Sequence, residues 1–192
     1  MAIRHNTCTN PALGVNATGW SPAGAVAPTR FDVTTESFGR QWAARYPTAA
    51  GGSFGQSATG AVVGSQTYTV SAYIQPDGVG TGSNACYIEW RNAGGSASYT
   101  SSSYNFTGSA ISRITITGAA PADAVTASLI FDLPSGRTSD ITMALIEQAN
   151  AVDTYFDGDS PSATWDGTPG NSASTIGAVA APVPFQGWGV PI

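Results

Sequence analysis

The sequence predicts an all-β protein, an antiparallel β-sandwich or jelly roll. Short runs of β-branched and aromatic residues recur between Gly, Pro, Asp and Ser turns, at intervals of roughly 10–20 residues. Lys, Glu, Leu and Gln, which favour helices, are scarce, and no amphipathic helical segment separates the runs as a βαβ fold would require. A chain of 192 residues is long enough for one domain with its own hydrophobic core.

The two clearest strands lie near the middle of the chain. Gln66–Gln75 alternates apolar and polar residues and ends at a Pro-Asp-Gly turn, and Ala85–Asn92 repeats the alternation. The side chains predicted to face the core are Tyr68, Val70, Ala72 and Ile74 in the first strand, and Cys86, Ile88 and Trp90 in the second. In each strand the opposite face is therefore predicted to be more polar.

Three further strands are predicted after these, and a weaker one before them. The later strands are Ile111–Thr117, Val125–Leu133 and Ser139–Glu147, and the weaker one is Phe38–Tyr46. Their predicted core residues are Ile114 and Ile116 in the first, and Val125, Ala127, Leu129 and Phe131 in the second. The stretch Met143–Asn150 has some helical character, but it fits a strand followed by a turn equally well.

The charge balance argues against nucleic acids and membranes as partners. Charged residues make up 10% of the chain, Lys is absent, and the net charge is −5. Such a chain is poorly suited to neutralise phosphates. No apolar run reaches the length of about 18 residues that a membrane span needs. Met1–Asn10 lacks the charged and then apolar pattern of a signal peptide, so we expect none.

The residues needed for common catalytic mechanisms are also scarce. His5 is the sole histidine, and it lies close to the N-terminus, where a scaffold would not hold it against a nucleophile. A glycosidase needs two facing carboxylates, yet Glu is rare and most Asp residues fall in predicted turns. We therefore expect a non-enzymatic protein with no catalytic residue.

The densest acidic cluster contains Asp153, Asp157 and Asp159. Closely spaced Asp oxygens could bind calcium, which makes these residues weak calcium candidates. Asp and Gly also form turns through side-chain hydrogen bonds and left-handed backbone conformations, and this is the favoured interpretation. We therefore expect no cofactor.

Aromatic and planar polar residues lie on the polar faces of the two central strands. Tyr73 and Gln75 are on the first strand, and Tyr87, Glu89 and Arg91 are on the second. If the strands are neighbours, these side chains supply the mixture of stacking surfaces and hydrogen-bonding groups that binds glycans. The alternative is a set of ordinary cross-strand pairs.

The two cysteines, Cys8 and Cys86, show no metal-ligand spacing. We expect them to be free and buried, because a chain without a signal peptide folds in the reducing cytoplasm. A disulfide remains the alternative if the protein ends up outside the cell.

The composition changes near the C-terminus. We predict a body over residues 1–176 and an extended arm over 177–192, which is rich in Pro and Gly and contains Phe185 and Trp188 as docking anchors. The alternative is that this tail forms a further strand of the body.

Several segments resemble known virion proteins. YFDGDSPSATWDGTPGNSAST, at 155–175, resembles a motif in minor tail proteins of phages that infect actinobacteria. TYTVSAYIQP, at 67–76, resembles a strand of the carbohydrate-binding-module-like jelly roll common in such proteins, and NPALGVNATGW, at 10–20, resembles its first strand. Ile111–Pro121, followed by TASLIFDL, resembles later strands of the same domain. The likeness covers about residues 6–176.

The resemblance implies a structural protein of the virion, assembled in the host cytoplasm. It suggests a minor tail or tail-tip protein that contacts other virion proteins, forms a homo-oligomer or symmetric multimer, and binds host cell-wall glycan. One alternative is a capsid decoration protein that binds the shell through its body and arm. A second is the non-catalytic carbohydrate-binding module of a polysaccharide-degrading system. A fold of this kind does not by itself confer activity, so no catalytic residue is carried over.

Overall fold

The computed structural model describes residues 3–22, 27–47, 54–78, 81–134 and 137–177. Within these ranges the chain forms strands and turns and no helix, which confirms the predicted all-β class. None of the described segments forms a helix capable of crossing a membrane.

The described residues form fourteen strands, all paired antiparallel. They are β1 (Arg4–Asn6), β2 (Ser21–Pro22), β3 (Thr29–Asp32), β4 (Trp42–Tyr46), β5 (Phe54–Gln56), β6 (Gly60–Ala61), β7 (Thr67–Pro76), β8 (Thr81–Asn92), β9 (Ala97–Thr107), β10 (Ser112–Ala119), β11 (Ala124–Asp132), β12 (Ser139–Glu147), β13 (Ala163–Trp165) and β14 (Ser174–Ile176).

Two large sheets stack as a β-sandwich, as predicted. The five-stranded sheet has the order β10-β7-β12-β4-β3. The six-stranded sheet has the order β2-β5-β11-β8-β9, with β6 also paired to β11. A small third sheet has the order β1-β14-β13. The inner faces of the two large sheets share one hydrophobic core, as in other aligned sandwiches.

The predicted core faces of β7, β8 and β10 are confirmed, since every residue assigned to them is buried in the shared core. Tyr68 of β7 and Trp90 of β8 contact each other across the two sheets, with ring centroids 6.1 Å apart and ring planes at 62°. Edge contacts of this kind stabilise a core beyond the apolar area that they bury.

Val125 was predicted to face the core, and this is wrong. The pairing of β11 with β8 shifts register between Ala124 and Thr126, which marks a β-bulge. Ala124 is buried instead and Val125 is 42% exposed, whereas Ala127 and the later core residues face inward as predicted. One extra residue in a strand reverses the alternation on one side of the bulge.

The strand predicted over Ser139–Glu147 is confirmed with the same bounds as β12. Its pairing with β7 shifts between Thr142 and Leu145, and Met143 has a positive φ of 57°. This bulge keeps Ala144 and Ile146 in the shared core and sends Met143 to the outer face of the sheet. The Met143 side chain therefore packs on the outer surface of the five-stranded sheet.

The weaker strand predicted over Phe38–Tyr46 is only half correct. Its second half is β4, but residues 34–41 form turns and bends, and Gly39 has a φ of 76°. Phe38 is nevertheless buried, and it packs on the outer face of the sheet beside Met143. The turn replaces strand because glycine readily adopts a left-handed conformation, which an extended strand does not contain.

Asn6 joins three separate parts of the chain. Its side chain is fully buried; Nδ2 donates to the carbonyls of Ala144 (3.0 Å) and Phe156 (3.2 Å). Its Oδ1 accepts from the backbone N–H groups of Cys8 (3.2 Å) and Ile146 (3.0 Å). All four hydrogen-bonding positions of the amide are used, so its burial carries no penalty for an unpaired group. Asn6 therefore fixes β1 and the segment after β12 against the sandwich.

The last described strand, β14, ends at Ile176, the predicted end of the body. The predicted docking anchors Phe185 and Trp188 lie outside the described residues, so the extended arm stays a prediction.

Cys8 and Cys86 are both free and fully buried, as predicted. Burial raises the pKa of the Cys8 thiol to about 12 and that of Cys86 to about 11. Both thiols are therefore protonated near neutral pH, and the thiolate is the reactive form.

We expect native protein to resist Ellman's reagent at about pH 8, because that pH lies well below both thiol pKa values. Unfolding in urea without a reductant should expose two reactive thiols per chain. Absorbance at the thionitrobenzoate band gives both counts. Rapid reaction of the native protein, or no reaction after unfolding, would contradict the buried free thiols.

Candidate functional site

A cleft of about 560 Å³ lies on the outer face of the five-stranded sheet. Three strands form its floor, and its walls come from the β3–β4 loop and the segment that follows β12. Its lining residues are Phe38, Gly39, Arg40, Tyr73, Arg113, Met143, Val152, Asp153, Thr154 and Tyr155.

Tyr73 is at the centre of the floor. In the sheet register it lies between Arg113 of β10 and Thr142 of β12. The Arg113 guanidinium carbon is 5.3 Å from the centroid of the Tyr73 ring, within the range of a cation–π contact. Met143, which the β12 bulge turns outward, packs with Phe38 beside this ring. The floor thus combines an aromatic ring with a neighbouring cation.

Asp157 holds the two walls together. Its carboxylate is 1% exposed and accepts from Arg40 Nε (3.0 Å) and Nη2 (2.8 Å) as a bidentate pair. It also accepts from the Tyr155 hydroxyl (2.9 Å) and the Ser160 hydroxyl (3.1 Å). Bidentate arginine–carboxylate pairs fix orientation as well as distance. The loop that carries Arg40 is therefore locked to the segment that carries Tyr155.

The Tyr155 hydroxyl acts as a hydrogen-bond donor over a wide pH range. Burial raises the pKa of the Tyr155 phenol well above its ordinary value, and the negative charge of Asp157 raises it further. The Arg40 guanidinium carbon lies 5.7 Å from the centroid of the Tyr155 ring. Tyr155 therefore keeps its proton and its bond to Asp157.

Asp153 lies on the exposed edge of the cleft. Its Oδ1 accepts from the Thr154 backbone N–H at 2.6 Å, and its Oδ2 is 3.5 Å from Arg4 Nη1. The Thr154 N–H contributes most to lowering the pKa of Asp153, and the charges of Arg4 and Arg113 add to the effect. Asp153 is therefore ionised near neutral pH.

The geometry around Asp157 favours the turn interpretation of the acidic cluster over calcium binding. Both Asp157 oxygens accept hydrogen bonds from the protein, including two from an arginine, and Asp159 Oδ1 accepts from Trp165 Nε1 at 2.9 Å. The described ranges contain no group of three or more His, Cys, Asp or Glu residues placed to hold a metal. The Trp165 ring also packs so closely over Gly158 that a Cβ there would lie 2.2 Å from it. The Asp-Gly-Asp turn is thus a structural element supporting one cleft wall.

The predicted glycan-binding residues fall on opposite faces of the molecule. The condition that their strands are neighbours is not met, because β7 lies between β10 and β12 whereas β8 lies between β11 and β9. Tyr73 lines the cleft. Gln75 is on the same strand, outside the cleft lining, and its Nε2 donates to the Ser109 carbonyl at 3.0 Å. Alternation along a β-strand shows on which face of the strand a side chain lies, but not which strand is its neighbour.

Tyr87, Glu89 and Arg91 belong to the outer face of the six-stranded sheet. The Glu89 carboxylate is almost fully buried and accepts from Arg91 Nε (2.6 Å), Gln56 Nε2 (3.1 Å) and the Tyr99 hydroxyl (3.2 Å). Tyr99 lies directly opposite Glu89 in the register, and its ring centroid is 6.4 Å from that of Tyr87. This arrangement fits the alternative interpretation of ordinary cross-strand pairs.

Sequence analysis missed both arginines and the second tyrosine of the cleft. Arg113 could have been found, since it alternates with Ile114 and Ile116 and must therefore point away from the core. Arg40 and Tyr155 lie outside the strands, where no periodic pattern predicts orientation.

No family model and no curated protein matches the chain. Solved structures do match, and several of them are xylan-related. A Clostridium thermocellum xylanase with a family 22 carbohydrate-binding module and a GH10 module, complexed with xylohexaose, has a TM-score of 0.57 and 16% identity. That match covers 71% of this chain but only 27% of the xylanase chain. A xylan-binding domain of family 22 has a TM-score of 0.56 and 14% identity, over 74% of this chain and 95% of its own.

A phage protein is also similar. The enzymatically active domain of tailspike protein 4 from bacteriophage CBA120 has a TM-score of 0.55 and 14% identity, over 73% of this chain and 21% of the tailspike chain. At these identities the likeness establishes the fold. The chain is a β-sandwich jelly roll of the kind found in carbohydrate-binding modules.

We expect Asp157→Ala to lower the free energy of unfolding by about 3 kcal/mol, because it leaves Arg40 and the Tyr155 hydroxyl without their buried partner. Asp159→Ala is the matched control. It removes an exposed carboxylate two residues away and should cost less than about 1 kcal/mol. Urea unfolding followed by tryptophan fluorescence measures both. Equal losses in the two variants would show that the walls do not depend on Asp157.

Proposed function

We propose that this protein is a non-enzymatic component of a phage virion, a minor tail or tail-tip protein that binds host-surface glycan in the cleft. The observation that carries the proposal is the cleft lining, where two tyrosine rings lie beside two arginines and a threonine. Sugar rings present apolar C–H faces surrounded by hydroxyls, so a site for them needs aromatic surface and hydrogen-bonding groups together.

The rigidity of the cleft supports binding. Arg40 is held by Asp157, Tyr155 donates to the same carboxylate, and Tyr73 lies on a central strand. A ligand entering such a site does not have to order these side chains, which reduces the entropic cost of binding. Weak binding at one cleft would be multiplied by the copies on a particle.

The distribution of carboxylates supports a binding role over hydrolysis. Glycosidases place two carboxyl groups about 5–9.5 Å apart across the scissile bond. In the part of the chain that the structure describes, Asp153 is the one carboxylate in the cleft lining. Asp157 is not part of that lining, and Arg40 compensates its negative charge.

The virion assignment is supported by the resemblance of residues 155–175 to minor tail proteins and by the fold shared with a phage tailspike domain. The alternative of capsid decoration uses the body and the predicted arm, and that arm lies outside the described residues. The cleft lining instead has the mixture of aromatic and polar groups that suits a glycan. The cleft therefore favours a position on the tail.

We expect Tyr73→Ala to weaken binding to purified actinobacterial cell walls about tenfold, because the central aromatic surface of the cleft is lost. Tyr99→Ala removes an exposed tyrosine from the opposite sheet and should leave binding unchanged. A cell-wall pull-down with quantified bound fractions measures both, and circular dichroism checks the fold. Loss of binding in Tyr99→Ala alone would place the binding site on the six-stranded sheet and contradict binding in the cleft. No binding by the unmodified protein would overturn the proposed function.

A further inference from the structure

We infer that the cleft takes an acidic glycan, one whose sugar units carry carboxylate or phosphate groups, and that Arg113 binds the acidic group. This inference rests on the proposed glycan-binding function and adds the chemical class of the ligand. It starts from the different charge environments of the two arginines in the cleft.

Arg40 forms an ion pair with a carboxylate, whereas Arg113 forms none within the described residues. Arg40 Nη2 lies 2.8 Å from Asp157 Oδ1, and Arg4, Arg45 and Arg91 form comparable ion pairs at the surface of the sandwich. Among the described residues Arg113 forms no ion pair, and its hydrogen bonds go to the hydroxyl of Ser71. Arg40 thus has a carboxylate in contact, whereas Arg113 interacts with the cleft carboxylate Asp153 only at longer range.

The Arg113 guanidinium is oriented by the sheet. Nε and Nη2 both donate to Ser71 Oγ, at 3.2 and 2.9 Å, and Ser71 is fully buried. The ring of Tyr73 lies beside the same group. Within the described part of the chain Nη1 has no hydrogen-bond partner. A planar donor group held in this way is suited to a carboxylate or phosphate oxygen.

The free-energy cost of removing water from Arg113 differs between an acidic ligand and a neutral one. A glycan seated on Tyr73 would remove water from the half-buried Arg113 beside it. Covering a cation with neutral sugar hydroxyls leaves its charge uncompensated, whereas an anionic group offsets the cost of desolvation. Asp153 does not supply this charge by contact, because its closest cation is Arg4.

The experiment uses one probe, purified actinobacterial cell walls, in three forms. One sample is untreated, one has its carboxyl groups amidated with carbodiimide and glycinamide, and one has its phosphodiesters removed with cold hydrofluoric acid. We expect one of the two treatments to reduce affinity about tenfold or more, and the effective treatment identifies carboxylate or phosphate. Binding to untreated walls should also weaken when salt rises from about 50 mM to about 500 mM.

Arg113→Gln should bind untreated walls as weakly as the unmodified protein binds walls that received the effective treatment. The same treatment should lower the affinity of Arg113→Gln no further. Arg137→Gln is the matched control. It removes the same charge from another half-buried arginine, whose Nη1 donates to the Asp77 carbonyl away from the cleft lining. Unchanged binding after both treatments, or in Arg113→Gln, would overturn the acidic ligand while leaving glycan binding intact. Absence of binding to untreated walls would instead overturn the proposed function.

Discussion

The cleft depends on one buried carboxylate. Asp157 accepts from Arg40, Tyr155 and Ser160, and these donors come from two loops outside the large sheets. The segment after β12 is also held by β1, since Asn6 Nδ2 donates to the Phe156 carbonyl and Arg4 Nη2 donates to the Thr154 carbonyl. The energy that would be lost by leaving Asp157 or Arg40 unpaired is what keeps both walls in one arrangement. The shape of the cleft therefore depends on the ion pair between Asp157 and Arg40 as well as on the rings and guanidinium groups that line it.

The sandwich supplies the platform, and a bulge adapts it. A regular strand would have buried Met143 in the shared core, but the register shift in β12 turns it outward to pack with Phe38. The same shift returns Ala144 to the core. Bulges often re-aim a side chain next to a functional site while the rest of the ladder stays intact. In this way one strand serves the core on one face and the cleft on the other.

The fold could be predicted from the sequence where the period of two is uninterrupted. The core faces of β7, β8 and β10 were correct because every second residue there is apolar. The prediction failed at Val125, where an unseen bulge reverses the alternation, and the sequence did not show that β7 and β8 belong to different sheets. Strand order is set by packing between distant segments, which a local pattern does not encode. Alternation along a strand also explains why Tyr73 could be predicted. Arg40 and Tyr155 lie on loops, where no such period exists.

The two ends of the folded body meet in the small sheet, where Arg4 of β1 is paired with Ile176 of β14. The chain therefore enters and leaves the sandwich at a single place, beside Glu147, which Arg4 binds through two hydrogen bonds. A domain whose two ends adjoin can be inserted into a loop of another protein without distorting either of them. This arrangement of the ends is compatible with insertion into another protein, and the cleft lies wholly within the inserted part.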